Sequence, residues 1–209
     1  MADRRLYFCT PARPDLERFL ESCIRGGVDI VQLREKSLAD RPLLEVARRA
    51  RTVCAASGVP FILNDRPDLA LECEADGVHV GQEDAPPALV RRVVGSEVLV
   101  GLSTHGPASL SAALGEPVDY LSAGPVVPTP TKPGRPWTGL GYLSTVASSS
   151  RLPWFVTGGV TPDGVPALAA AGARRFVVVR WLTEAADPES HARQLRVAID
   201  AAVERSTSA

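Results

Sequence analysis

No C-x-x-C pair occurs in this chain. Its four cysteines, Cys9, Cys23, Cys54 and Cys73, are scattered, which excludes a zinc site of paired ligands and the dense framework of a small disulfide-rich domain. They read as reduced, mostly buried thiols. No apolar run is long enough to cross a bilayer, which takes about 20 residues. The start, Met1-Ala2-Asp3-Arg4-Arg5, runs straight into a strand-like segment without the profile of a secretory signal, so the expected setting is cytoplasmic. An excess of either charge is lacking too. With a net charge of −1, no basic balance points to nucleic acid and no acidic tail to a solvating segment. No repeat, linker or second domain is visible. Residues 1–209 are therefore read as one domain with a short frayed tail over residues 205–209.

What is present is the composition of a soluble globular protein, 45% hydrophobic and 22% charged, and a regular alternation. Eight apolar runs each lead to a helical segment. The runs are Leu6 to Cys9, Val28 to Leu33, Pro60 to Leu63, Val78 to Val80, Val98 to Leu102, Asp119 to Ser122, Trp154 to Thr157 and Arg175 to Val179. The helices between them are expected over Asp15–Arg25, Leu38–Ser57, Pro67–Glu74, Pro86–Val94, Pro107–Leu114 and Leu140–Ser149, then from a Thr161 cap to Ala171, and from Asp187-Pro188 to about Glu204. Continuous apolar runs suit parallel strands covered on both faces. The pattern predicts a single-domain α/β fold of the (β/α)₈ TIM-barrel type. An open doubly wound sheet is the rival, but nearly every run here ends in polar or glycine residues, and barrel sites gather at all the strand ends.

The second run ends in Gln32-Leu33-Arg34-Glu35-Lys36. Charges on a buried strand are tolerated where it surfaces, and a spacing of two puts Gln32, Arg34 and Lys36 on one side of an extended chain. A glutamine and two cations there suit a phosphorylated ligand; a solvated cluster with an Arg/Glu pair is the plainer alternative. Asn64-Asp65 closes the third run, and Gln82 and Asp84 close the fourth. In a barrel these carboxylates share one mouth with Arg34 and Lys36, a setting for Mg²⁺. Each aspartate, taken alone, is also a natural helix cap before a proline. The loop from Gly124 to Gly134 carries four prolines, Thr129, Thr131 and Lys132, more than a surface crossover requires. Gly158-Gly159 follows the seventh run and opens onto a helix, which suits a phosphate. No histidine is given a catalytic part, and no nucleophile–base pair stands out.

In order and spacing, Gln32 to Lys36, Asn64-Asp65, His79 to Asp84, Gly101 to His105, the Gly124–Gly134 loop and Gly158-Gly159-Val160 resemble the thiamine-phosphate synthase family over Leu6 to about Asp200. That family is a (β/α)₈ barrel joining hydroxymethylpyrimidine diphosphate to a thiazole phosphate, with pyrophosphate leaving. The resemblance implies that Gln32, Arg34, Lys36, Asn64 and Lys132 hold the pyrimidine diphosphate, that Asp65 and Asp84 bind Mg²⁺, and that Ser103 sits near the pyrimidine and leaving group. Thr129, Thr131, Gly158, Gly159 and the end of the last strand, Val179 and Arg180, fall on the thiazole-phosphate side. It also implies early loss of pyrophosphate to a pyrimidine carbocation, with Arg34, Lys36, Ser103 and Lys132 as the catalytic set. One departure is Arg180, where the family commonly has a serine. Two competing readings are a thiazole tautomerase on a related barrel, which has no diphosphate to expel, and a non-catalytic thiamine-phosphate-binding or regulatory protein. The implied partners are small molecules, with neither nucleic acid nor membrane; homo-oligomerisation is left open.

Overall fold

A computed structural model describes residue 1 and residues 3–128 and 136–207. Eight strands form a closed parallel barrel in sequence order, β1-β2-β3-β4-β5-β6-β7-β8: β1 (Leu6–Thr10), β2 (Ile30–Leu33), β3 (Phe61–Asn64), β4 (Gly77–Val80), β5 (Leu99–Thr104), β6 (Tyr120–Ala123), β7 (Trp154–Thr157) and β8 (Phe176–Val178). The helices are α1 (Leu16–Arg25), α2 (Asp40–Ala56), α3 (Pro67–Glu72), α4 (Pro87–Val94), α5 (Pro107–Ala113), α6 (Leu140–Ser149), α7 (Val165–Ala170), α8 (Arg180–Thr183) and α9 (Pro188–Thr207). The rival open sheet is thereby excluded. No helix among the described residues is long and apolar enough to cross a membrane.

Two apolar cores account for the continuous runs. The large one, including Phe8, Val31, Leu33, Phe61, Val78, Val80, Leu102, Leu121 and Val156, fills the space between strands and helices. The small one is the barrel interior: Tyr7, Ile30, Ile62, Tyr120 and Phe155, with Val177 and Leu99 against it. Alternate residues serve alternate cores, as the pleat requires. Along the inward positions the chemistry changes from Ile30 to Gln32, from Ile62 to Asn64, and from Tyr120 to Ser122. The inward face thus turns polar toward the C-terminal ends, and that end of the barrel becomes the site.

At the opposite pole three aspartates fasten strands in pairs. Asp29, just before β2, accepts the backbone N–H groups of Arg5 and Leu6, each at 2.9 Å. Asp76, before β4, accepts that of Phe61 at 2.8 Å, and Asp119, before β6, that of Val100 at 2.7 Å. Each is backed by an arginine: Arg196 at 3.0 Å, Arg51 at 3.3 Å and Arg91 at 2.6 Å respectively. These contacts satisfy strand-end donors that the ladders leave over.

Two helix boundaries differ most from expectation, and one short helix is additional. Helix α7 starts at Val165, not after Thr161. The Thr161 hydroxyl and carbonyl both accept the Gly164 N–H, at 3.2 and 3.0 Å, and close a turn first. Helix α9 continues to Thr207, past the expected end near Glu204. Helix α8, a single turn directly after β8, was not anticipated.

Candidate active site

At the C-terminal mouth lies a cleft of about 240 Å³. Its wall includes Gln32, Arg34, Asn64, Ser103, Gly158, Gly159, Val179 and Arg180, all singled out from sequence. It also includes Tyr7, Cys9, Ser122, Thr157 and Trp181, which were not. His79 lines it too, although no histidine was expected to take part. Its neighbours Val78 and Val80 belong to the outer core, so strand alternation turns His79 inward. Thr129, Thr131 and Lys132 lie outside the described residues.

The floor of the cleft is a polar series. The Cys9 thiol donates to Gln32 Oε1 at 3.1 Å, and Gln32 Nε2 donates to the Tyr7 hydroxyl at 2.8 Å. The Tyr7 and Tyr120 hydroxyls are 3.0 Å apart. Tyr120 Oη is 3.2 Å from His79 Nδ1, and His79 Nε2 is 2.9 Å from Ser103 Oγ. Ser122 Oγ donates to Ser103 Oγ at 3.3 Å, while Gln82 Nε2 holds the Ser103 carbonyl at 2.6 Å. Ser103 lies within β5, not beyond its end.

One charged cluster rises from the ends of β2 to β4. Lys36 Nζ is 3.0 Å from Asp65 Oδ2. Asp65 has a positive φ of 65°, a conformation that aspartate tolerates better than most residues, and its N–H bonds the His79 carbonyl at 2.8 Å. Asp84 Oδ2 accepts the Gly81 N–H at 2.8 Å. Burial, and then the hydrogen bond with Asp84, raise the Asp65 carboxyl above its ordinary value against the pull of Lys36. Burial pushes Asp84 up as well, but the bond with Asp65, the Gly81 N–H and the charges of Lys36 and Arg34 carry it below. Opposite shifts in two touching carboxyls are what one shared proton produces. Two adjacent carboxyls offer hard oxygen donors of the kind that fit a divalent cation. Among the described residues no group of three or more His, Cys, Asp or Glu could hold a metal ion, so any cation here would draw its other ligands from substrate and water. Arg34, half-buried beside this pair, meets no carboxylate within 4.0 Å among the described residues.

The second face lies at the ends of β7 and β8. Gly158 and Gly159 have φ of 92° and 70°. A Cβ on Gly158 would come within 2.8 Å of Pro125 Cβ, and one on Gly159 within 2.5 Å of Val127 Cγ2. Only glycines let this turn pack against the 124–127 segment and keep its backbone at the cleft. Arg180, the first residue of α8, is exposed at the cleft and forms no ion pair with Glu184.

The family model described as thiamine monophosphate synthase matches residues 6–182. A thiamine-phosphate synthase of Thermus thermophilus is 48% identical over 198 residues, 92% of this chain and 95% of that protein. One of Nostoc punctiforme is 44% identical over 184 residues, 88% of this chain but 52% of that protein, so the chain spans about half the length of this relative. The solved thiamine phosphate pyrophosphorylase of Pyrococcus furiosus superposes with a TM-score of 0.89 at 25% identity, covering 97% of this chain and 98% of its own. The chain belongs to the thiamine monophosphate synthase family.

Proposed function

We propose that this protein condenses hydroxymethylpyrimidine diphosphate with thiazole phosphate to give thiamine phosphate and pyrophosphate. The observation that carries this is one cleft with two charged or phosphate-suited ends: Arg34 on its wall at the end of β2, close to the Lys36, Asp65 and Asp84 cluster that itself does not line the cleft, and Gly158-Gly159 with Arg180 at the ends of β7 and β8. A barrel phosphate site commonly uses the loops after strands seven and eight and the start of a short extra helix, which is where α8 begins. Two faces suit two phosphorylated substrates. A tautomerase acting on one thiazole phosphate has no use for the first.

On this reading Gln32, Asn64 and Ser103 orient the pyrimidine, and Arg34, Lys36 and Lys132 bind its diphosphate. The C–O bond breaks with both electrons leaving on pyrophosphate. The resulting pyrimidine cation is captured by the lone pair of the thiazole nitrogen, which Thr129, Thr131, Gly159 and Arg180 hold in reach by its phosphate arm. The cationic side chains act where charge develops, on the departing oxygens. Asp65 and Asp84 would hold Mg²⁺, which when bound adds positive charge against the diphosphate. Val127, Val160 and Val177 bring apolar surface to the wall and limit water at the cation. The test is pyrophosphate release with both substrates and Mg²⁺: release that needs both supports the proposal, and release with neither or with one refutes it.

A further inference from the structure

The floor of the cleft has a readable direction. An amide nitrogen can only donate, so at the Gln32 contact the Tyr7 hydroxyl accepts. One run of protons then satisfies every contact: the Tyr7 proton to Tyr120 and the Tyr120 proton to His79 Nδ1. Burial pushes both phenols well above their ordinary value, so both stay protonated and able to donate. Nδ1 is then the bare nitrogen of a neutral imidazole, and Nε2 carries the proton. Nε2–H donates to Ser103 Oγ, which also accepts from Ser122. With both lone pairs engaged, the Ser103 hydrogen points into the cleft that Ser103 lines.

The barrel is built to allow this. Tyr120 is fully buried and does not line the cleft. Its ring reaches His79 across Gly101, where any Cβ would collide with both the Tyr120 ring and His79 Nδ1. The Tyr120 hydroxyl meets the cleft wall through the groups it bonds, His79 and Tyr7.

We propose that Tyr120 and His79 are positioning residues: they fix the imidazole as its Nε2–H tautomer and so make the Ser103 hydroxyl a hydrogen-bond donor to a lone pair of the bound ligand, a ring nitrogen or a leaving-group oxygen. The identity of that ligand rests on the proposed condensation; the tautomer does not.

Two measurements on the intact protein test it. In ¹⁵N NMR, with the His79 signals assigned by their loss in His79→Gln, the unmodified protein should show Nε2 protonated and Nδ1 bare, and Tyr120→Phe should give a mixture of tautomers. An Nδ1–H tautomer or a doubly protonated ring in the unmodified protein overturns the proposal, and this spectrum decides even if Tyr120→Phe fails to fold. In kinetics, Tyr120→Phe should lower kcat by about tenfold, the size of one well-placed hydrogen bond. In a Ser103→Ala background the same change should alter kcat by less than about twofold, because the group it positions is gone. A Tyr120 that only packs would give its full effect in both backgrounds, and that result also overturns the proposal. Should the unmodified protein make no thiamine phosphate, the condensation fails, and the NMR result still tests the tautomer.

Discussion

Replacing Arg180 by alanine separates the two phosphate-binding faces. Arg180 begins α8 at the cleft and forms no ion pair among the described residues, so its removal leaves no partner charge uncompensated among them. If the guanidinium holds the phosphate of the thiazole substrate, alanine deletes one or two charge-assisted hydrogen bonds, each contributing roughly 1.5–3 kcal/mol net. The side chain is exposed, and solvent screening favours the low end of that range. Even one bond at the low end is about a factor of ten in affinity, since ~1.4 kcal/mol is tenfold. KM for the thiazole phosphate should therefore rise about tenfold or more. KM for the pyrimidine diphosphate should hardly move, because the proposed site for its phosphates is at the ends of β2 to β4. Arg180→Lys should recover part of the loss, as a point charge without the planar fork. The assay is steady-state kinetics with each substrate varied in turn at saturation of the other. An unchanged KM for the thiazole phosphate, or an equal rise for both substrates, would refute the assignment.

Asp65→Asn and Asp84→Asn should each raise the Mg²⁺ concentration needed for half-maximal turnover, and full activity of both variants in limiting Mg²⁺ would remove the metal from these carboxylates. Lys132→Ala should lower kcat by about a hundredfold, as loss of other preorganised charge-stabilising groups does, with an unchanged melting temperature; normal kcat in a less stable protein would make the lysine structural. Burial pushes the Cys23 and Cys54 thiols up to about 12, so at pH 8 about one in ten thousand is thiolate. Peptide mapping after iodoacetamide should find both unlabelled in the native protein and labelled in denaturant; native labelling would contradict their burial.

The fold was legible because both strand faces are covered. Each strand shows as an unbroken apolar run, and eight such runs with helices between them leave few topologies. The strand ends were legible for a related reason: Arg34, Asn64 and Gly158-Gly159 interrupt apolar runs where the chain surfaces. What stayed hidden lies inside the runs. Tyr7, Cys9 and His79 look like ordinary members of apolar segments until the register shows which alternate residues face the barrel axis. The interior then proves to hold a polar floor over a five-residue apolar plug. Helix α8 escaped because four residues make one turn, too short for a 3.6-residue period to show. The start of α7 was misplaced because a threonine turn and a helix cap share one signature, a hydroxyl accepting an N–H three residues on.

The central claim is that one cleft brings two phosphorylated molecules together and expels pyrophosphate. Its most direct test is to incubate the purified protein with hydroxymethylpyrimidine diphosphate, thiazole phosphate and Mg²⁺, and to quantify thiamine phosphate by chromatography alongside pyrophosphate. The account predicts the two products in equal amounts, and neither when either substrate is withheld. An isomerised thiazole phosphate without pyrophosphate, or tight binding of thiamine phosphate without turnover, would contradict it.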